Sequence, residues 1–280
     1  MGEKLRPFLK WAGGKRQLLP QIKRHLPGNI RDLIYYEPFI GAGAVFLELM
    51  PAKAIINDFN SQLITTYNII KNNINELLAL LELHRRKHNR EYFYEIRNID
   101  RDSERFTELS EIEKAGRLIY LNKTCFNGLY RVNKAGHFNV PYGRYSNPSV
   151  FEEANLREIN RFLLNDNITI LNIDFEEAVS NADENSFIYF DPPYHSPGNK
   201  NFTSYKEDGF GEYDQLRLCK SIKRLTERGV KCLLSNSDTE FIRTLYSDRV
   251  FNIISIEAIR TINSISSERG PVKEVLIMNY

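Results

Sequence analysis

The sequence predicts an α/β fold: a doubly wound sheet carrying a mostly helical insertion that contains a β-hairpin. Three observations support this reading. Strand-like runs recur at LIYYEPF (33–39), AKAIINDF (52–59), ITILNIDF (168–175), FIYFDPPY (187–194), VKCLLSN (230–236), NIISIEAI (252–259) and VLIMNY (275–280), the first two and Phe187–Phe190 of the kind buried on both faces. The first two flank Gly41-Ala42-Gly43-Ala44 and a short helix through Leu49, which makes a β-α-β unit. Between the second and third runs the sequence changes character over 61–165.

Taken in order, the chain opens on MGEKLRPFLK, which lacks the apolar core of a signal peptide, and no later apolar run approaches the ~20 residues of a membrane span. A cytoplasmic location is expected. After the second strand, Ile74, Leu77, Leu78 and Leu81 fall at helical spacing, charged sequence continues to about Glu113, and Ala115 to Leu121 reads as another helix. In YRVNKAGHFNV, two extended pieces flank Asn133-Lys134-Ala135-Gly136, the pattern of a hairpin. Strands then resume, with a helix from Tyr213 to Arg228 between two of them. Residues 1–60 and 166–280 thus form one α/β domain, and 61–165 an insertion into it.

Composition narrows the class. With 280 residues, 42% hydrophobic and 26% charged, the chain suits one large globular domain with an insertion. Cys125, Cys219 and Cys232 are scattered, with no Cys-x-x-Cys and no His at ligand spacing. Neither a disulfide framework nor a metal site is expected. The net charge of +2 conceals a segregation: no Asp or Glu occurs from Lys114 through Phe151 or from Lys4 to Arg31, while both stretches are rich in Lys and Arg. Such runs are often only solvated faces, but two in a nearly neutral chain point to a polyanion such as nucleic acid.

Two strand ends carry the candidate chemistry. Gly41 and Gly43 lie in a Gly-x-Gly turn between strand and helix, where backbone can approach a ligand. The third glycine of the dinucleotide fingerprint is missing, and a lone Gly-x-Gly is weak. Asp58, at the tip of the following strand, is placed to accept ribose hydroxyls, although Asn57-Asp58 reads equally well as a turn. The turn has no Gly-Lys-Ser/Thr, which disfavours a triphosphate loop. In FIYFDPPYHS, Pro192 and Pro193 cannot donate to a ladder, so the strand ends with Asp191 at its carboxyl tip, where α/β sheets bind ligands.

PFLKWAGGKRQLLP, EPFIGAGAVFLE, INDFN, NGLYRVNKAGHFNVPYGRY, FIYFDPPY and LLSNS, in this order, resemble the motif series of Dam-type DNA adenine N6-methyltransferases. The resemblance runs from Pro7 to Tyr280 and is weakest over about 75–110 and from Thr261 to Val272. It implies a Rossmann-like methyltransferase sheet with a target-recognition insertion, and S-adenosylmethionine as cofactor. By resemblance, Trp11 and Lys15 bind that cofactor, Gly41 and Gly43 form the turn under its methionine part, Asp58 and Asp191 belong to its site, and Asp174 and Phe175 flank its adenine. The carboxylate of Asp191 and the carbonyl of Pro192 would each accept an N6 hydrogen of a flipped adenine, with Tyr194 as a stacking face.

The hairpin becomes the DNA reader, with Asn127, Tyr130, Arg131, Lys134, His137 and Arg144 as candidate contacts and GATC as the site the resemblance implies. Double-stranded DNA is the expected partner, a cognate restriction endonuclease encoded nearby a further one, and a monomer the expected state. Two alternatives stay open. One is a methyltransferase acting on RNA adenine or cytosine N4; those families tend to show Asn or Ser where Asp191 stands. The other is a non-catalytic DNA-binding regulator on a degenerate Rossmann-like fold, against which the intact Asp191, Pro192, Pro193 and Tyr194 argue.

Overall fold

A computed structural model of the chain describes residues 4–11, 13–145, 148–196, 210–259 and 271–280. In chain order, α1 (Leu19–Arg24) precedes β1 (Ile34–Glu37), α2 (Ala44–Leu49) and β2 (Ala54–Asn57). A helical stretch follows with α3 (Ser61–Asn72), α4 (Ile74–Lys87), α5 (Arg90–Asn98), α6 (Ser103–Glu108), α7 (Glu111–Thr124) and α8 (Glu153–Leu163). Then come β3 (Ile168–Leu171), α9 (Phe175–Ala178), β4 (Ser186–Phe190), α10 (Glu212–Glu227), β5 (Lys231–Ser237), α11 (Glu240–Leu245), β6 (Asn252–Ile259) and β7 (Pro271–Met278). The fold is α/β on a mixed seven-stranded sheet, as expected.

The chain divides into two compact units. The first is Met1–Gly14, Gly41–Met50 and Asn60–Asn172; the second is Lys15–Ile40, Pro51–Phe59 and Ile173–Tyr280.

In the first unit, side-chain caps start most of the helices. Asn60, Asn89 and Asp102 accept from the third residue beyond them to open α3, α5 and α6, and Ser110 with Glu113 closes a capping box on α7. Charged sequence before Glu113, unassigned by apolar spacing, is therefore helical: its caps and a few anchors such as Phe93 and Ile96 suffice. α7 buries Ala115, Leu118, Ile119, Tyr120 and Leu121, which lie on all its sides, so it is the unit's central helix. Beyond it the hairpin narrows to one antiparallel bridge, Val132 to Phe138.

In the second unit the strands run β2-β1-β4-β5-β7-β6, parallel from β2 to β5 and antiparallel thereafter. All five residues of β4 are buried, the environment its unbroken apolar run requires. α10 turns Leu218, Cys219, Ile222 and Leu225 onto the sheet, against Ile188, Phe190, Cys232 and Leu234. Each such apolar side chain contributes roughly 1.5–3 kcal/mol by leaving water. The run at 168–175 is strand only over Ile168–Leu171, in the first unit; Asp174, still extended, caps α9 in the second. The last strand, read from Val275, begins at Pro271. Connections from β1 diverge to β2 on one side and β4 on the other, so a topological switch point lies at the carboxyl ends of β1 and β4.

Candidate active site

Asp191 follows the last residue of β4, and the short 3-10 turn Lys15–Gln17 brings Lys15 to it. Lys15 Nζ stands 2.8 Å from Asp191 Oδ1 and 4.6 Å from the centre of the Tyr194 ring. The Tyr194 hydroxyl donates to Glu274 Oε2 at 2.7 Å, and Glu274, on β7, is buried. Burial pushes the Asp191 carboxyl up to about 6, with Glu274 adding to the rise and Lys15 opposing it. Nearby, the Tyr35 hydroxyl donates to Glu37 Oε2 at 2.6 Å, and burial followed by the charge of Glu37 holds its phenol well above the usual range.

The turn after Asp191 is braced from below. Gln215 Nε2 donates to the Pro193 carbonyl at 2.9 Å, and Asn236 Nδ2 donates to Gln215 Oε1 at 3.0 Å. Asn236 Oδ1 accepts from His195 N at 3.2 Å, so one buried amide pair holds both ends of Pro193–His195. Among the described residues nothing donates to the carbonyl of Pro192. Pro192 itself is buried and Tyr194 half-buried.

Asp58 is half-buried just past β2. Its neighbour Asn57, for which a turn is only one of two open readings of the sequence, is a buried clamp. Asn57 Nδ2 donates to the carbonyls of Pro38 and Ile173, both at 3.1 Å, and its Oδ1 accepts from Ile173 N at 2.9 Å. Asp174 accepts from Glu176 N at 2.9 Å, and both of its oxygens lie 3.0 Å from Arg217 Nη2. Arg217 also covers the Phe175 ring at 4.9 Å, and Phe39 packs on the same ring at 5.3 Å.

The first unit holds the remaining candidates. Gly41 and Gly43 both take left-handed backbone, with φ of 48° and 70°, as the turn requires. A Cβ on Gly41 would come within 3.0 Å of Trp11 Cδ1, and Tyr67 donates to the Gly41 carbonyl at 3.1 Å. Trp11 stacks on Tyr130, ring centres 4.7 Å apart and 17° from parallel. Behind Trp11, fully buried Asn122 accepts from Lys10 N at 2.9 Å and donates to the carbonyls of Lys10 and Gly128 at 2.8 and 3.1 Å.

On the hairpin, Arg131, Lys134 and Arg144 are exposed, while Asn127 and His137 are half-buried. Asn133 Oδ1 accepts from Ala135 N and His137 N, which folds the tip around Gly136. Asn127 is left-handed with φ 58°, and its N–H donates to the Tyr145 hydroxyl at 3.1 Å.

Within the second unit, Lys15, Asp191 and Tyr194 come together; within the first, Trp11, Gly41 and Tyr130 do. Asn57, Asn122, Gln215 and Asn236 had no assigned role from sequence. The only hint was their place beside Asp58, within the helix before Asn127, in the helix read from Tyr213 to Arg228, and in LLSNS. Among the described residues no group of three or more His, Cys, Asp or Glu is placed to hold a metal ion, and no helix is long and apolar enough to cross a membrane.

A family model described as D12 class N6 adenine-specific DNA methyltransferase matches residues 11–262. The chain is 47% identical over 277 residues to the Type II methyltransferase M1.LlaDCHI of Lactococcus lactis subsp. cremoris, covering 99% of this chain and 96% of that one. It is 43% identical over 296 residues to the Type II methyltransferase M.MjaIII of Methanocaldococcus jannaschii, covering 99% of each. To the DNA adenine methylase of Escherichia coli it is 37% identical over 281 residues, covering 99% and 96%.

Proposed function

The chain belongs to the D12 class of N6 adenine-specific DNA methyltransferases, and on that premise we propose that it moves a methyl group from S-adenosylmethionine to N6 of an adenine flipped out of a GATC site in duplex DNA. The observation that carries the reading is Asp191 at the carboxyl tip of β4, against the buried ammonium of Lys15 and ahead of a proline carbonyl to which no described residue donates.

The residues present suit such a donor. The carboxyl groups of Asp191, Glu37 and Glu274 all act on Tyr189, with the Lys15 ammonium against Asp191, a polar setting suited to a charged ligand. Trp11, Lys15, Gly41, Gly43, Asp58, Asp174 and Phe175 keep the cofactor-binding roles the resemblance implies. When bound, S-adenosylmethionine supplies a sulfonium methyl electrophilic enough that no covalent catalysis by the protein is needed.

What remains for the protein is the nucleophile. The N6 lone pair of adenine is delocalised into the ring. Asp191 and the Pro192 carbonyl, each accepting one N6 hydrogen, favour a pyramidal nitrogen with its lone pair directed outward. The turn is held in advance by Gln215 and Asn236, so little reorganisation is needed at reaction. With its carboxyl near 6, Asp191 is ionised at neutral pH and basic enough to take up the proton that N6 sheds. Tyr194 offers its ring to the base, which reaches it only by leaving the duplex stack.

We assign catalysis to 1–60 with 166–280 and target recognition to 61–165. Arg131 reads a guanine, while Lys134, His137, Arg144, Asn127 and Tyr130 contact the duplex. The protein works on DNA in the cytoplasm as a monomer, and a cognate endonuclease fits the type II naming of its relatives. Expression in a methylation-free host, with N6-methyladenine mapped by sequence context, tests the reading. Methyl groups in GATC support it; methyl groups on cytosine N4, on RNA or nowhere would overturn it.

A further inference from the structure

Arg131 and Asn139 are joined twice across the hairpin. Asn139 N donates to the Arg131 carbonyl at 3.0 Å, and Arg131 Nε donates to Asn139 Oδ1 at 2.8 Å. An exposed arginine samples many rotamers, and ordering it against DNA opposes binding. A bond at Nε sets the guanidinium plane before DNA arrives and leaves Nη1 and Nη2 as the edge that can meet O6 and N7 of a guanine.

The arm that carries Asn139 is itself anchored. Phe138, almost wholly buried, donates its N–H to Asp100 Oδ2 at 2.8 Å, and its carbonyl accepts from Arg101 Nη2 at 2.6 Å. Asp100 in turn is ion-paired to Arg117 Nη2 at 2.7 Å and to Arg101, and Arg117 donates onward to the carbonyls of Ile96 and Arg97. Both backbone groups of the residue next to Asn139 thus rest on a buried ion-pair network. Asn139 starts from a fixed point, although the hairpin has a single bridge.

We propose that Asn139 is a positioning residue for sequence recognition: its side-chain oxygen holds the Arg131 guanidinium in the plane in which it reads a guanine. This rests on Arg131 being the reader.

The test uses full-length protein with Arg131→Ala, Asn139→Leu and Asn139→Asp. Each is assayed for kcat/KM on a duplex of the site mapped in the methylation-free host and on three duplexes with the outer guanine replaced. Asn139→Leu is expected to lower discrimination at that base pair about five- to tenfold, the lower part of what a bidentate arginine supplies. Asn139→Asp, which keeps an accepting oxygen, should restore the ratio even if the added charge weakens affinity for all four duplexes. A merely structural role, or a phosphate contact, would lower all four rates together. An unchanged ratio in Asn139→Leu overturns the proposal, as does equal loss of discrimination in Leu and Asp variants. If Arg131→Ala leaves the ratio intact, the assignment of Arg131 fails; if only Asn139→Leu does, Arg131 stands and Asn139 alone is wrong.

Discussion

Lys15 holds Asp191 from beneath, Nζ to Oδ1 at 2.8 Å, with 5% of the lysine side chain and 19% of the aspartate exposed. The pair sets two opposed demands on one carboxylate. Burial drives it toward the neutral acid, and the ammonium draws it back toward the anion that a hydrogen-bond acceptor must be. The balance leaves it poised near 6, and this is where the first expectations lie.

Methyl transfer should fall as pH drops through about 6, approaching tenfold per unit below it, because the protonated carboxyl accepts weakly from N6 and cannot take up the proton it sheds. Single-turnover rates from pH 5 to 8 on a saturating duplex check this. Asp191→Ala should retain less than about a tenth of wild-type turnover at pH 7.5. A flat profile, or a variant that keeps more, would remove Asp191 from the chemistry.

Lys15→Met should move the same acidic limb to higher pH, since the lysine is the main influence lowering the Asp191 pKa and Glu274 stays to raise it. The readout is the midpoint of the limb, which a simple loss of folded protein leaves in place. An unmoved midpoint would mean that the ion pair does not govern protonation.

The same shift predicts a stability difference, with a definite sign. The Asp191 carboxyl has its folded pKa, about 6, above its ordinary 3.8, so between these values the folded state binds the extra proton. Stability from this group is therefore greatest at acid pH and is lost as pH rises through 6. Asp191→Asn cannot titrate, so it should gain on the wild type by about 2 kcal/mol between pH 4 and pH 7, the part of the shift that falls in that window at 1.36 kcal/mol per unit. Urea midpoints of both proteins across that range give the difference. A constant gap would show that burial does not perturb the carboxyl.

Gly41→Ala tests the turn. Its left-handed φ of 48° opposes any side chain, and the new Cβ would meet Trp11 at 3.0 Å, so the indole must shift against Tyr130. Gly136, also left-handed with φ 78°, has nothing within 4 Å of such a Cβ, so Gly136→Ala pays the backbone strain alone. Trp11 is the only tryptophan, and its emission reports on itself. We expect a changed emission maximum and weaker S-adenosylhomocysteine binding in Gly41→Ala, and neither in Gly136→Ala. Equal behaviour of the two would detach Gly41 from Trp11.

These sites were legible to different degrees, for physical reasons. Central strands such as β4 announce themselves, because burial on both faces demands an unbroken apolar run and two prolines mark the stop. Asp191 and Asp58 stand out as candidates because ligand sites in such sheets lie beyond strand ends, and both do follow strands. Lys15, by contrast, carries no mark of burial in its residue type; only the motif around it singles it out, yet it is 4% exposed. Asn57, Asn122, Gln215 and Asn236 were missed because a buried amide is defined by partners far away in sequence, 116 residues in the bond from Asn57 to Ile173. Helices α5 and α6 were missed because their few apolar residues make no periodic stripe and their caps look like ordinary polar sequence.

Charge counting has the same weakness, and the last prediction turns on it. Arg117 belongs to the acid-free run that suggested a polyanionic partner, yet it is 3% exposed and committed to Asp100. Lys134, in the same run, stands exposed at the hairpin tip. Only the second can neutralise a phosphate. Lys134→Ala should reduce the slope of log affinity against log salt by about 0.9, the value for one phosphate contact, equally for cognate and unrelated duplexes, with an unchanged melting temperature. Arg117→Met should do the reverse: it strands Asp100 with one partner fewer, lowers the melting temperature, and leaves the salt slope of the folded fraction as it was. Fluorescence anisotropy from 50 to 300 mM salt, beside thermal melts, separates the two; a salt slope that answers to Arg117 and not to Lys134 would reverse the assignment of which cations face the DNA.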